Sequence, residues 1–203
     1  NAAVLGSFTR AQLSTAISDA DLGWVMVVGW TDVGPAATIP IVLTAYQSAF
    51  RIRIEIVRGT VSVDGSYLLL RTSTNGGSSY DSAANSYSWL QHSVTGAGTN
   101  VVQTGEAGAG DTAIQLTQNA ASDSIDNGAT SSFNGTIIIN DPSNTTFYTS
   151  LRFEFDWVRE TSAGGIGLSH GTGRRQSAAN VDAIQIFADS GNVGFTYAVF
   201  AEY

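Results

Sequence analysis

The sequence predicts an all-β protein, built as an antiparallel β-sandwich of the jelly-roll type. Two segments, Phe50–Val57 and Leu151–Val158, alternate between apolar and polar residues at almost every position. A period of two with one polar face is typical of strands in an antiparallel sheet that has one side in water. Short β-rich segments continue to the end of the chain, separated by Gly, Ser, Asn and Asp, without a later helical pattern of useful length.

The first element is predicted to be a short helix. Its apolar residues recur at helical spacing, at Leu13, Ala16, Ile17 and Ala20. We therefore expect residues 1–23 to form a connector or docking segment, partly helical and partly extended. Residues 24–203 are expected to form the sandwich domain.

Ten strands are predicted after this segment because β-branched and aromatic residues are concentrated between turn residues. The predicted strands are Trp24–Trp30, Pro40–Tyr46, Phe50–Val57, Tyr67–Ser73, Tyr87–Ser93, Ala113–Thr117, Gly135–Asn140, Phe147–Val158, Val181–Ala188 and Phe195–Tyr203.

The connections between these strands are predicted from their turn residues. Asp64-Gly65 is typical of a two-residue hairpin, and turns are expected at Asn75-Gly76-Gly77 and at Ser190-Gly191-Asn192. Two glycine- and serine-rich stretches, Thr95–Asp111 and Asn119–Ser132, are predicted to be long loops. Because long loops in a compact domain are usually functional or mobile, both are candidate contact surfaces.

Composition excludes several classes of function. The chain has 9 basic and 17 acidic residues, a net charge of −8, and all of its basic residues are arginine. This charge argues against double-stranded nucleic acid and anionic membranes as partners. No apolar run approaches the ~20 residues that span a bilayer. The absence of cysteine excludes disulfide frameworks and thiol catalysis.

A group of aromatic and amide residues is the candidate site for sugar binding. It consists of Tyr80, Asn85, Tyr87, Trp89 and His92. Flat rings can cover the apolar face of a sugar while polar side chains bind its hydroxyl groups. The alternative is that Tyr87 and Trp89 belong to the core, because they alternate as strand residues do.

Two adjacent cations, Arg174 and Arg175, form a candidate anion site. They end a segment, His170–Arg175, that we predict to be a glycine-bearing loop, and guanidinium groups with backbone donors can bind an anionic group. The alternative, which the acidic composition favours, is that both arginines pair with carboxylates of the same chain.

Two carboxylates on one strand face, Glu154 and Asp156, have a spacing compatible with glycoside hydrolysis. Cross-strand ion pairing with Arg51, Arg53 and Glu55 would explain them without catalysis. We favour the structural interpretation and predict no enzymatic activity. Neither histidine has a second ligand at metal-binding spacing, so no metal site and no cofactor are predicted.

The order of features from Trp24 onward resembles a β-sandwich domain of tailed-phage and prophage virion proteins, over about nine-tenths of the chain. The matching pieces are Trp24–Gly29, Phe50–Val57, Leu68–Arg71, Asn75–Asp81, Tyr87–Trp89, Gly135–Pro142, Gly173–Arg175, Val181–Ile186 and Ser190–Asn192. No single piece is diagnostic, and the resemblance rests on the ordered set.

The resemblance implies a structural virion component, such as a tail, tail-fibre or head-surface protein, and brings no catalytic residues with it. We expect a homo-oligomer, with threefold symmetry as the first guess, that contacts other virion proteins and binds bacterial surface polysaccharide through its loops. An assembly protein without a ligand, such as an adaptor or capsid decoration, is the main alternative. A glycan depolymerase that uses Glu154 and Asp156 is a weaker one.

Overall fold

The computed structural model describes residues 23–97, 100–119, 123–159 and 165–203. Within these ranges the chain forms twelve strands and one short 3-10 turn, Thr44–Tyr46. The strands are β1 Val25–Ala36, β2 Ile39–Val42, β3 Arg51–Val61, β4 Leu68–Ser73, β5 Tyr87–Ala97, β6 Asn100–Asp111, β7 Ile114–Gln115, β8 Phe133–Asn140, β9 Ser150–Val158, β10 Ile166–Arg175, β11 Ala183–Ala188 and β12 Val193–Glu202. Each of the ten predicted strands overlaps one of them. The predicted N-terminal helix lies outside the described residues.

The strands form two antiparallel sheets packed against each other. The large sheet has the order β1-β12-β3-β8-β9-β10-β5-β6, and the small sheet has the order β2-β11-β4-β7. When β5, β6, β9 and β10 are set aside, two four-stranded sheets remain. Successive strands of this set then lie in opposite sheets, except β4 and β7, which pair with each other. This is the strand arrangement of a jelly roll, so the predicted fold class is confirmed.

The four additional strands form two hairpins that extend the large sheet beyond the jelly roll. Strands β5 and β6 are inserted between β4 and β7, and strands β9 and β10 between β8 and β11. Strand β9 pairs with β8, and β10 pairs with β5 in continuous register from Ile166–Gly96 to Arg175–Tyr87. We call these four strands the extension. They double the width of the large sheet.

The core lies between the two sheets and is mainly aliphatic where the jelly-roll strands face each other. Its fully buried residues include Ile54, Ile137, Leu70 and Ile184. The aromatic rings of β9 continue this core beneath the extension. Among them, Trp157 is 2% exposed and donates a hydrogen bond from its indole nitrogen to the Asp123 carbonyl oxygen, at 2.8 Å.

Two predicted loops are strands. The described residues of the stretch Thr95–Asp111 belong to the end of β5 and to β6, and the predicted loop at His170–Arg175 is the second half of β10. Both predictions are wrong for the same reason, because these strands carry glycine and small residues where alternation would need large side chains. In β10 the small residues are required: a Cβ added to Gly167 would lie 2.2 Å from the Trp157 ring.

The Asp64-Gly65 turn is also not a hairpin, because the strands on either side of it, β3 and β4, lie in different sheets. The predicted turns at Asn75–Gly77 and Ser190–Asn192 are confirmed, with Gly76, Gly77 and Gly191 at positive φ. In the described part of residues 119–132, β-bridges form only at Ile125, one to Ser66 and one to Arg159.

Candidate functional site: a groove on the outer face of the large sheet

The large sheet has one face toward the small sheet and one toward solvent. The alternation is clearest in β9, where Leu151, Phe153, Phe155 and Trp157 are buried and the residues between them are exposed. The outer face carries the other row, which includes Arg152, Glu154 and Asp156. Pairing with β8 and β10 aligns this row with outward residues of both neighbours.

Strand register places five polar side chains in one line across the outer face. The line runs from Glu55 on β3 through Thr136 on β8 and Glu154 on β9 to His170 on β10 and His92 on β5. At one end, the Thr136 hydroxyl donates to a Glu55 carboxylate oxygen at 2.8 Å. At the other end, both histidines of the chain lie directly opposite each other.

This line crosses a groove of about 750 Å³ on the outer face. Its apolar lining includes Leu90 and Ile138, and its polar lining includes Arg152, Glu154 and Thr172, next to the two imidazoles. The groove is bordered by β5, β8, β9 and β10, with Gly105 contributed by β6. Three of the four main walls therefore come from the extension.

The two imidazole rings are close enough to act together. The ring centroids of His92 and His170 are 5.2 Å apart, with the planes inclined by 50°. Glu154 pairs with His170 from the opposite strand. Within the described ranges, no group of three or more His, Cys, Asp or Glu side chains is arranged to hold a metal ion.

Arg152 supplies a cation to the groove that forms no salt bridge with the described residues. In the described part of the chain, ion pairs engage five arginines: Arg51 with Glu202, Arg53 with Glu55, Arg58 with Asp32, Arg159 with Asp123 and Arg175 with Asp81. Neither Arg152 nor Arg174 belongs to this set. A ligand with acidic or hydroxyl groups can therefore approach the Arg152 guanidinium without displacing a carboxylate.

Two of the predicted sugar-binding residues are core residues. Tyr87 is 0% exposed, and its hydroxyl accepts a hydrogen bond from the Thr72 amide at 2.8 Å and donates to the Asp81 carbonyl at 3.1 Å. Trp89 lies on the same inward row, partly buried against the core, with its indole nitrogen donating to Asp111 at 2.7 Å. The predicted sugar contact is therefore wrong for Tyr87, which is buried in the core. Trp89 packs against the core from the same row.

Two other candidates lie outside the groove lining. Tyr80 is half-buried, and burial raises the pKa of its phenol. Asn85 is exposed, and its backbone amide donates to the Gly110 carbonyl at 2.7 Å in a turn at positive φ. Of the five predicted residues, His92 alone lines the groove.

The candidate anion site is divided by the sheet. Arg174 faces outward and lies over the Tyr148 ring, 5.5 Å from its centroid. Arg175 faces inward, is 8% exposed, and pairs with Asp81 at 2.5 Å. The two cations therefore point to opposite faces and do not form one site. For Arg175, the ion-pair alternative is confirmed.

The predicted ion pairs between β9 and β3 do not form. Strand β8 separates the two strands, so Glu154 and Asp156 face β8 and β10 instead. Asp156 accepts a hydrogen bond from the Asn134 amide at 3.0 Å. Arg53 pairs with Glu55 on its own strand, at 3.2 Å.

Sequence reasoning missed most of the groove. Leu90, Arg152, His170 and Thr172 come together only because the two inserted hairpins pair with each other. One local signal was present: in residues 166–175 the outward positions read Ile, Leu, His, Thr, Arg, while the inward positions carry Gly, Ser, Gly, Gly and Arg. A small-residue row opposite a large-residue row is the pattern of a strand beside an aromatic neighbour.

In the described residues, helix is limited to one 3-10 turn, and none is long and apolar enough to cross a membrane. The chain matches no protein-family model, and no curated protein gives a match. The groove and the jelly-roll topology are therefore the observations from which function is inferred.

Proposed function

We propose that the chain is a structural module of a phage or phage-like particle that binds surface glycans of the host in the outer groove. The sequence resemblance to virion domains favours the first part of this proposal. The jelly-roll fold supports it, because capsid and lectin domains are frequently built this way. The proposed glycan binding rests on the groove, which takes the place of the loops as the expected contact surface.

The groove combines the two kinds of chemistry that sugar binding requires. Leu90, Ile138 and the imidazole faces offer apolar surface for the C–H face of a sugar ring. Arg152, Glu154 and Thr172 line the same groove and offer donors and acceptors for hydroxyl groups. Its volume, about 750 Å³, falls within the range of small-ligand sites.

The origin of the groove supports a binding role. A jelly roll is complete without β5, β6, β9 and β10. These strands add sheet on one side only, and it is this added sheet that forms most of the groove wall. A large insertion that a fold does not need, and that creates a recess lined by mixed polar and apolar groups, is a candidate for function.

A glycan-array experiment on the isolated protein, followed by calorimetry on the strongest ligand, tests the proposal. We expect Arg152→Gln and Leu90→Ala each to weaken binding by about tenfold or more, which corresponds to about 1.4 kcal/mol. Val42→Ala is the matched control, because Val42 is an exposed apolar residue of the small sheet. Circular dichroism verifies the fold of each variant. Unchanged affinity in both groove variants, or the absence of any glycan ligand, would remove the groove from the proposal.

A second candidate, assembly without a ligand, is favoured by strand β1. This strand of 12 residues forms one edge of the large sheet, and Val25, Met26 and Trp30 are exposed on it. A long apolar edge strand is a template for pairing with another chain. Sedimentation of the wild type and of Trp30→Ser distinguishes this function. Self-association that depends on Trp30, without glycan binding, would favour assembly.

A further inference from the structure

His92 and His170 form a cross-strand pair that no local sequence pattern predicts. They are the only two histidines in the chain, which also lacks cysteine. The antiparallel pairing of β5 with β10 places them directly opposite each other on the outer face. His170 is exposed and His92 is partly exposed, so both rings can be reached from the groove.

The separation of the rings matches the distance that a shared metal ion imposes. Zn–N bonds of about 2.0–2.1 Å and a ring radius of roughly 1.1 Å put each imidazole centroid about 3.2 Å from the ion. A near-tetrahedral angle at the ion then separates the two centroids by about 5.2 Å. The observed separation is 5.2 Å.

The surroundings leave room for an ion and its other ligands. Gly105 pairs with His92 from β6, and the space where its Cβ would be holds no atom within 4 Å. The groove opens next to both rings and admits water. Glu154 pairs with His170 on the other side and brings a negative charge close to the pair, while Arg152 brings a positive one to the same groove.

We propose that His92 and His170 together bind one divalent first-row transition-metal ion, through one nitrogen of each ring. Imidazole is a ligand for zinc, copper and nickel. Since the described residues provide no third converging ligand, the remaining positions are taken by water or by a ligand in the groove. A site with two of the four ligands of a structural zinc site binds weakly, with a dissociation constant on the order of 1–100 µM.

Calorimetric titration of tag-free protein with zinc chloride tests this proposal independently of any glycan. The wild type is expected to bind one ion per chain, and His92→Ala and His170→Ala are each expected to lose this binding. Asp156→Asn, which removes a carboxylate from the same face, is expected to bind zinc as the wild type does.

A second measurement distinguishes the loss of zinc binding from a folding defect. The thermal midpoint of the wild type should rise with added zinc and return with EDTA, because the ion joins two strands of the folded state only. His92→Gln and His170→Gln keep a side chain of similar size and should show no zinc-dependent rise. Zinc affinity that persists in the double His→Ala variant, or a stoichiometry of one ion per two chains, would overturn the proposal.

Discussion

The two halves of the large sheet bury different kinds of residues. In the jelly-roll half, the inward rows are aliphatic, as in Ile52, Ile54 and Ile56 of β3. In the extension, the aromatic row of β9 faces small residues of β10, and the next strand buries polar side chains: Gln91, Ser93 and Thr95 are at most 2% exposed. The first half resembles an ordinary hydrophobic core. In the second half rings pack closely beside small residues, the Gln91 amide donates to Glu106, and the Ser93 and Thr95 hydroxyls have no hydrogen-bond partner among the described residues.

In the extension, large side chains pack beside glycine residues of the neighbouring strand. An added Cβ at Gly171 would lie 2.4 Å from the Phe153 ring and 2.5 Å from the Leu90 carbonyl oxygen. Farther along the sheet, the Gln91 and Gln115 amides both donate to the Glu106 carboxylate, which links β5, β6 and β7. A sheet can therefore be widened without a second aliphatic layer if a glycine on the neighbouring strand leaves space for each aromatic ring.

The largest effect is expected in the jelly-roll half. Ile54→Ala should lower the free energy of unfolding by about 2–5 kcal/mol, because it leaves a cavity in a fully buried aliphatic layer. Ser93→Ala is the matched change in the extension. The Ser93 hydroxyl is buried and has no hydrogen-bond partner among the described residues, so its removal should change stability by less than about 1 kcal/mol or increase it. Urea unfolding measures both, and equal losses would contradict the comparison.

A medium effect is expected where the extension has no spare volume. Gly171→Ala should cost about 1–3 kcal/mol, since the Leu90 carbonyl belongs to the backbone and cannot move aside as a side chain can. Gly105→Ala, on the edge strand β6, meets no atom within 4 Å and should stay within about 0.5 kcal/mol of the wild type. Thermal unfolding of the two variants checks the prediction; a neutral Gly171→Ala would show that the rings repack freely.

The smallest effect tests how the extension is joined to the small sheet. Tyr87 on β5 binds Thr72 on β4 through its hydroxyl, and burial raises the pKa of this phenol, which keeps it protonated. Tyr87→Phe should cost about 1–2 kcal/mol because the Thr72 amide loses its partner in a buried place. Tyr203→Phe is the control, because Tyr203 is 58% exposed. Chemical denaturation measures both, and a stability loss as large in Tyr203→Phe would discount the contact.

The sequence predicts the jelly-roll strands well because their inward positions carry large apolar residues at every second position. It fails at β6 and β10, because glycine and other small residues occupy many of their positions and glycine is typical of loops in most sequences. The residue size at those positions is determined by aromatic rings on the neighbouring strands. A local sequence pattern does not show which residues a neighbouring strand supplies.

The site is less predictable than the fold because it depends on strand order. His92 was identified from its position near aromatic residues, yet its neighbours in space come from β8, β9 and β10. Tyr87, Trp89 and Gln91 occupy every second position, as residues on one face of a strand do. This spacing already favoured the core as the alternative location for the two rings. The pairing of β10 with β5, which brings His170 to His92, joins two hairpins that are far apart in the chain.

Each inserted hairpin lies between two consecutive strands of the jelly roll, β4 and β7 or β8 and β11, so the strand order of the sandwich is the same with or without them. Substitutions at outward positions of β5, β9 and β10 alter the groove while the inward rows continue to fit the core. Such an arrangement separates the part of the molecule that must remain constant from the part that can diversify. Related chains would then be expected to share their aliphatic layer and to differ most along the outward rows of the two hairpins.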